Sequence, residues 1–150
     1  MAFRKILVPM DGSENANRAA KVAAEMANLD GSELVVLYVI AVPSFLVSDV
    51  SELASSTIEF QEYYDYLESM GKKYVEKILS QAKKEGARVH GEVIRARKSI
   101  VDTILAFASR EKVDLIVIGT RGLGGFKKLL LGSVSSGVAA HAHCSVLIIK

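Results

Sequence analysis

Leu34-Val35-Val36-Leu37-Tyr38-Val39-Ile40 is an unbroken apolar run lying between two stretches with helical spacing, and no other feature constrains the fold as strongly. A strand without polar alternation has to be covered on both faces, a condition met by a parallel sheet with helices above and below it. The same alternation recurs along the chain. Arg4–Val8 reads as a first strand stopped by Pro9. Ala16, Ala19, Ala20, Ala23, Ala24 and Ala27 fall at helical spacing within Asn15–Asn28, with Ser13 as N-cap and Gly31 as terminator. Side chains that small let a helix lie close to a sheet. Phe60, Tyr63, Tyr64, Leu67, Met70, Tyr74 and Ile78 predict a long helix ending near Gly86. Arg88–Arg95 predicts a third strand. Ile100, Ile104, Phe107 and Ala108 predict a helix capped by Ser99. Leu115–Ile118 reads as a fourth strand punctuated by Gly119, Ser133–Ala142 as a short helix and Ser145–Lys150 as a last strand. Ala41–Ser56 has no clear period and reads as a loop. Strands alternating with helices imply an α/β fold with an open parallel sheet.

The length, 150 residues, suits one domain over 1–150 with a sizeable core. A formal charge of +2 is too near neutral for a dedicated nucleic-acid binder, though it leaves room for a small basic site. The one cysteine, Cys144, excludes an internal disulfide framework and a cysteine-cluster metal site, and fits a reducing compartment. No run of about 18 apolar residues is present, so no membrane span is expected. Only three apolar residues separate the opening Met1–Lys5 from Pro9, too few for a signal-peptide core. The expected location is the cytoplasm.

In open sheets of this kind, ligands lie beyond the carboxyl ends of the strands, where strand order reverses. Two turns fall there: Pro9-Met10-Asp11-Gly12-Ser13 and the stretch from Gly119 to Lys128. Six of the 11 glycines lie between Gly119 and Gly137, which suits close approach of backbone N–H groups to a ligand. The helix beginning near Ser133 would aim its N-terminal amides into the same space, where anions are favoured. Arg121, Lys127 and Lys128 can add positive charge. Each feature also has a plain structural reading. Glycine-rich loops are often only tight turns, an aspartate such as Asp11 is often a turn residue, and Ser133 can simply cap its helix. Lys127 and Lys128, like Arg95, Arg97 and Lys98, read as a solvated face. The tyrosines at 63, 64, 66 and 74 suit a helix that is partly core-facing and partly exposed better than a stacking platform.

Several enzyme signatures are missing. The chain has no Walker-type P-loop, no Gly-x-Gly-x-x-Gly after the first strand and no Gly-x-Ser-x-Gly elbow. Pro9 stands where an aspartate-nucleophile phosphatase would pair a second carboxylate with Asp11. His141 and His143 have no nearby carboxylate or second cysteine, and suit a helix end. Cys144 reads as core rather than as a nucleophile.

The glycine spacing is specific. Gly119, Gly122 and Gly132-Ser133 form Gly-x2-Gly-x9-Gly-Ser, which resembles the nucleotide motif of universal stress proteins. Ile6-Leu7-Val8-Pro9-Met10-Asp11-Gly12-Ser13 resembles the family's first strand and turn. Val113–Gly119 and Cys144–Ile149 resemble two further segments, so the similarity spans the chain apart from Ala41–Ser56. The resemblance implies a five-stranded parallel sheet of order 3-2-1-4-5, Rossmann-like and of the adenine nucleotide alpha hydrolase type. It is to the family's ATP-binding branch, which carries the full glycine motif, and not to the branch that lacks the motif and ATP. By the same resemblance, Asp11 would contact the ribose, and Pro9, Val39 and Ile118 would border the adenine. Gly119, Gly122 and Gly132 would form the phosphate loop, with Ser133, Ser135 and Arg121 at the phosphates. One departure is Lys98-Ser99-Ile100 in place of the Gly-x-Pro that many relatives have.

Hydrolysis needs a metal and an oriented water at the phosphates. No second carboxylate is placed there, so the expectation is ATP binding with little turnover: a regulatory switch read by a signalling protein, with Mg²⁺ as the accompanying ion. The apolar last strand, Ser145–Lys150, is an edge that needs covering. The resemblance implies a homodimer through it; cover by the chain's own helix is the other solution. Two further functions stay open: a nucleotide-free stress-type dimer acting through protein partners, and a nucleotidyl transferase. The latter class uses His-x-Gly-His, whereas His90-Gly91 is followed here by Glu92.

Overall fold

The computed structural model describes residues 3–41, 58–120 and 131–150. Five strands, β1 (Lys5–Met10), β2 (Glu33–Ile40), β3 (Arg88–Arg95), β4 (Leu115–Gly119) and β5 (Ser145–Ile149), form one sheet in the order β3-β2-β1-β4-β5. All four pairings are parallel. Among the described residues, four helices lie in the connections: α1 (Glu14–Asp30), α2 (Ile58–Lys84), α3 (Ile100–Arg110) and α4 (Ser133–His141). This is the α/β architecture and strand order expected from the sequence. The predicted loop at Ala41–Ser56 lies, beyond Ala41, outside the described residues.

Alternation along each strand divides the interior in two. Ile6, Val8 and Met10 of β1, with Leu34, Val36 and Val117, face α1 and α2. Leu7, Val35, Leu37, Ile116 and Ile118 face the other way, against Ile104, Phe107 and Ala108 of α3 and Val138 of α4. The six alanines read as the inner face of α1 are all buried, and their small side chains let the helix lie low on the sheet. Ser13 caps α1 by accepting a hydrogen bond from the Ala16 N–H (3.2 Å), and Ser99 caps α3 by accepting from the Asp102 N–H (3.0 Å). Such caps each contribute about 1 kcal/mol. The buried stripe of α2 is Tyr64, Gly71, Val75, Ile78 and Ala82, while Tyr63 of the predicted face is exposed, as is Tyr66, which lies off it.

Most element ends shift by a residue or two from the sequence reading; the last helix, for example, ends at His141 rather than Ala142, and three further differences concern Pro9, the cap of α4 and the last strand. Pro9 does not stop β1, which continues through it to Met10. Proline removes a ladder donor and is tolerated where pairing is relaxed. The β1–β4 ladder ends at Leu7↔Ile116, before Pro9, whereas β1 stays in register with β2 as far as Met10↔Tyr38. Gly132, not Ser133, occupies the N-cap position of α4. Its carbonyl already accepts the first helical hydrogen bond, from the Ser136 N–H (2.9 Å), so Ser133 lies inside the helix. The last strand ends at Ile149 rather than Lys150.

Candidate functional site at the carboxyl ends of the strands

The strand order reverses at β1: β2 and β3 are added on one side of it, β4 and β5 on the other. The crevice beyond β1 and β4 is therefore the switch point at which open α/β sheets take ligands.

On one side of it stands the turn after β1. Asp11 Oδ1 accepts a hydrogen bond from the Ser13 N–H (2.8 Å), closing an Asx turn over Gly12. Gly12 has φ +82°, a left-handed conformation that favours glycine. The turn delivers the chain straight into the Ser13 cap of α1, so the Asp11 carboxylate is held at the head of that helix.

Pro9, Val39 and Ile118 share a sheet face. Pro9 pairs with Leu37 and lies two residues beyond Leu7; Val39 lies two beyond Leu37, and Ile118 two beyond Ile116. All three follow the parity of the α3/α4 side, where Val39 and Ile118 join the apolar cluster. Ile118 is buried and Val39 half-buried. These residues give the floor of the crevice an apolar character.

The opposite side is built around a residue that sequence reasoning passed over. The carbonyl of Thr120 accepts from the Gly132 N–H (2.6 Å) and from Ser135 Oγ (2.9 Å). Its N–H donates to the Ile149 carbonyl (2.8 Å), and its Oγ1 accepts from Asn15 Nδ2 (3.3 Å). Buried Thr120 thus joins β4, the end of β5, the first turn of α1 and the start of α4. Its only sequence signal was its position next to Gly119, because most of this bonding is through the backbone.

Gly119 is required by packing. A Cβ there would fall 2.7 Å from the Asn15 carbonyl carbon and 2.8 Å from its oxygen. The bare backbone of β4 lets the head of α1 close over the strand end.

Gly132 at the N-cap of α4 makes no side-chain cap hydrogen bond. Ser133, Val134 and Ser135 precede the first helical hydrogen bond, so their amides form the polar, partly positive end of the helix. Ser133 is exposed, whereas Ser135 is buried. A serine has one hydroxyl proton, and that of Ser135 goes to the Thr120 or Gly132 carbonyl (2.9 and 3.1 Å). Toward an anion at the helix end, Ser135 therefore offers its amide. Arg121, Gly122, Lys127 and Lys128 lie outside the described residues.

An anion-favouring helix end, an apolar floor and a hydroxyl-accepting carboxylate across one crevice match the three parts of a nucleotide: phosphate, base and sugar. No group of three or more His, Cys, Asp or Glu suited to a metal occurs among the described residues.

The remaining candidates lie elsewhere. Nδ1 of His141 donates to the Gly137 carbonyl (2.9 Å), as a histidine in the last turn of α4 can. His143 and half-buried Cys144 line a cavity of about 110 Å³ with Leu105, Ala108, Val113 and Ile116, at the amino end of β4 and β5. Burial, with the nearby Asp114 charge, pushes the Cys144 thiol above its usual range.

The fold and its crevice define an open, doubly wound α/β protein with a ligand site at the switch point. The sequence profile of the universal stress protein family matches residues 2–150. The chain is 34% identical over 148 residues to universal stress protein MJ0531 of Methanocaldococcus jannaschii, covering 99% of this chain and 82% of that one. It is 35% identical over 150 residues to universal stress protein YxiE of Bacillus subtilis, covering 99% of each. Among solved structures, UspA from Lactobacillus plantarum shares the fold with a TM-score of 0.87 at 24% identity, over 100% of this chain and 99% of that one. A universal stress protein in complex with cAMP has a TM-score of 0.71 at 25% identity, over 100% and 99%. The Archaeoglobus fulgidus universal stress protein in complex with dAMP has a TM-score of 0.66 at 26% identity, over 100% of both chains. This chain belongs to the universal stress protein family.

Proposed function

We propose that this protein binds ATP in the crevice between the β1 turn and the head of α4 and acts as a nucleotide-dependent regulatory switch with little intrinsic hydrolysis. The observation that carries the reading is the α4 N-terminus, whose N-cap Gly132 makes no side-chain cap hydrogen bond and which stands beside the end of β4, across the crevice from the Asp11 turn. The cAMP and dAMP complexes of similar proteins support an adenine nucleotide as the ligand class.

In this reading Pro9, Val39 and Ile118 border the base, and the Val39 backbone hydrogen-bonds its edge. Asp11 accepts from the ribose. Gly119, Gly122 and Gly132 line the phosphate path, with Arg121 and the first turn of α4, Ser133 to Ser135, as donors. Gly119 also serves α1 packing, so its contribution is an unobstructed strand end. When bound, Mg²⁺ would neutralise phosphate charge. Asp11 is engaged by Ser13 and assigned to the sugar, so among the described residues of the crevice no carboxylate is left to orient an attacking water, and slow turnover follows. A signalling protein would read the nucleotide state. Such a switch operates where ATP is held, in the cytoplasm.

The sheet edge supports a homodimer. Val146, Leu147, Ile148 and Ile149 of β5 are only partly buried and form one border of the sheet. A second copy across a two-fold axis would cover them.

The test is to purify the protein without added nucleotide, denature it, and analyse the released material by chromatography and mass spectrometry. ATP near one per chain supports the reading. AMP or ADP would point to turnover or a different adenine ligand. No nucleotide, with no heat of ATP binding by calorimetry, would overturn it in favour of a nucleotide-free dimer.

A further inference from the structure

The Asp11 turn is not held by its own hydrogen bonds alone. The ring of Tyr74, from the middle of α2, lies directly against Gly12: a Cβ on Gly12 would fall 2.6 Å from Tyr74 Cζ and 2.9 Å from Cε2. No other residue type could occupy position 12 with the ring where it is. The ring also stacks on Tyr38, with centroids 6.0 Å apart and planes 20° from parallel. Tyr38 is in register with Met10, the residue before Asp11. Tyr74 is thus fixed between the last rung of the β1–β2 ladder and the turn that carries the carboxylate.

The base of the side chain is equally fixed. Gly71, Val75 and Ile78, which flank Tyr74 on α2, are buried. Electrostatics agree with the geometry: burial first, then the neighbouring Tyr74, Asp11 and Tyr63, hold the Tyr38 phenol above its usual range. The carboxylate and this aromatic pair therefore share one small environment at the carboxyl end of the sheet.

We infer that Tyr74 is a positioning residue for the sugar of the bound nucleotide: its ring, wedged between Tyr38 and Gly12, holds the Asp11–Gly12–Ser13 turn in the conformation that presents the Asp11 carboxylate. The inference rests on the adenine-nucleotide reading above for the ligand, and on packing alone for the hold on the turn. Tyr74 touches no reacting atom. It acts through Gly12, a long-range contact that couples α2 to the sugar site.

The experiment uses the full chain as Tyr74→Ala and Tyr74→Phe. Binding of ATP and of 2′,3′-dideoxy-ATP is measured by calorimetry, and amide exchange of Ser13 by NMR without nucleotide. Tyr74→Ala should weaken ATP about tenfold, about 1.4 kcal/mol, and 2′,3′-dideoxy-ATP less than twofold. Ser13 exchange should quicken by a similar factor as its bond to Asp11 opens. Tyr74→Phe, which keeps the ring, should restore all three values. A folded Tyr74→Ala protein with an unchanged ATP to dideoxy-ATP ratio and unchanged Ser13 exchange overturns the inference. Equal weakening of both nucleotides overturns it too, because that marks a general loss of the site. If wild type binds neither nucleotide, the proposed function fails and the sugar role with it. Ser13 exchange then separates that failure from a failure of the packing claim, which unchanged exchange would overturn. Should Tyr74→Ala not fold, Tyr74→Leu, which fills the space without the ring, is measured in the same way.

Discussion

The Gly132 N–H donates to the Thr120 carbonyl at 2.6 Å, joining the end of β4 to the head of α4. The described residues on either side of 121–130 therefore meet at one point. Both ends are tied to α4, and Thr120 extends the tie to β5 through the Ile149 carbonyl. Whatever an anion does to the head of α4 acts on residues bonded to the end of the edge strand. This gives the proposed switch a physical path from the proposed nucleotide crevice to the surface where a second copy would pair.

Gly132→Val tests the crevice separately from the backbone. Gly132 has φ −70° and ψ 163°, an extended conformation open to valine, so no backbone strain enters. A branched side chain at the head of α4 would stand where phosphate approaches. ATP affinity should fall at least tenfold, about 1.4 kcal/mol, with the thermal midpoint little changed. Titration calorimetry checks this, and unchanged affinity would remove the head of α4 from the site.

Gly119→Ala behaves differently, although both glycines belong to one motif. The new Cβ would meet the Asn15 backbone at 2.7 and 2.8 Å, and backbone cannot swing aside as a flexible side chain can. Overpacking of this kind costs about 1–3 kcal/mol. Urea unfolding should show a lowered midpoint with an unchanged slope. A wild-type midpoint would mean that α1 is free to shift away from β4.

The contrast between these glycines shows what the sequence could and could not convey. Apolar runs marked four strands, loose alternation over Arg88–Arg95 marked β3, and the alanines of α1 marked its buried face, because burial on a regular element leaves a period. Pro9 was misread as a stop, because the freedom to skip a rung depends on where the β4 ladder ends, which no local pattern records. Ser133 opens α4 as its position predicts, whereas the alternative reading of Ser133 as the cap fails, because Gly132, which has no side chain, holds that position. Thr120 escaped notice because its carbonyl and amide make most of its bonds, and every residue has those. Tyr74 read as one more aromatic on a helix face; its partner Gly12 is far away in the chain, and only the packing of α2 over the β1 turn brings the two together.

Asp11→Ala removes both the acceptor for Ser13 and the group assigned to the ribose. ATP should bind about tenfold more weakly, the ordinary scale for losing a hydrogen bond to a charged group. The affinity gap between ATP and 2′,3′-dideoxy-ATP should nearly close. Calorimetry with both nucleotides is the check. If the variant discriminates as well as wild type, the sugar is recognised by another residue.

Cys144 should be a sluggish thiol despite lining a cavity. Burial is the larger cause of its raised pKa, and the Asp114 charge adds to it by opposing a second negative charge nearby. A thiol pKa raised above its usual value leaves less thiolate at any pH below it, and the thiolate is the nucleophile. Alkylation by iodoacetamide should therefore be slower than that of a free cysteine at pH 8. Its rate should keep rising with pH after the free cysteine has levelled off. Asp114→Asn should move the profile back toward lower pH, since it removes one of the two causes and leaves burial in place. Mass spectrometry of the Cys144 peptide across a pH series measures all of this. A rate equal to that of free cysteine at pH 8 would show that the amino end of β4 and β5 opens to solvent far more than its packing implies.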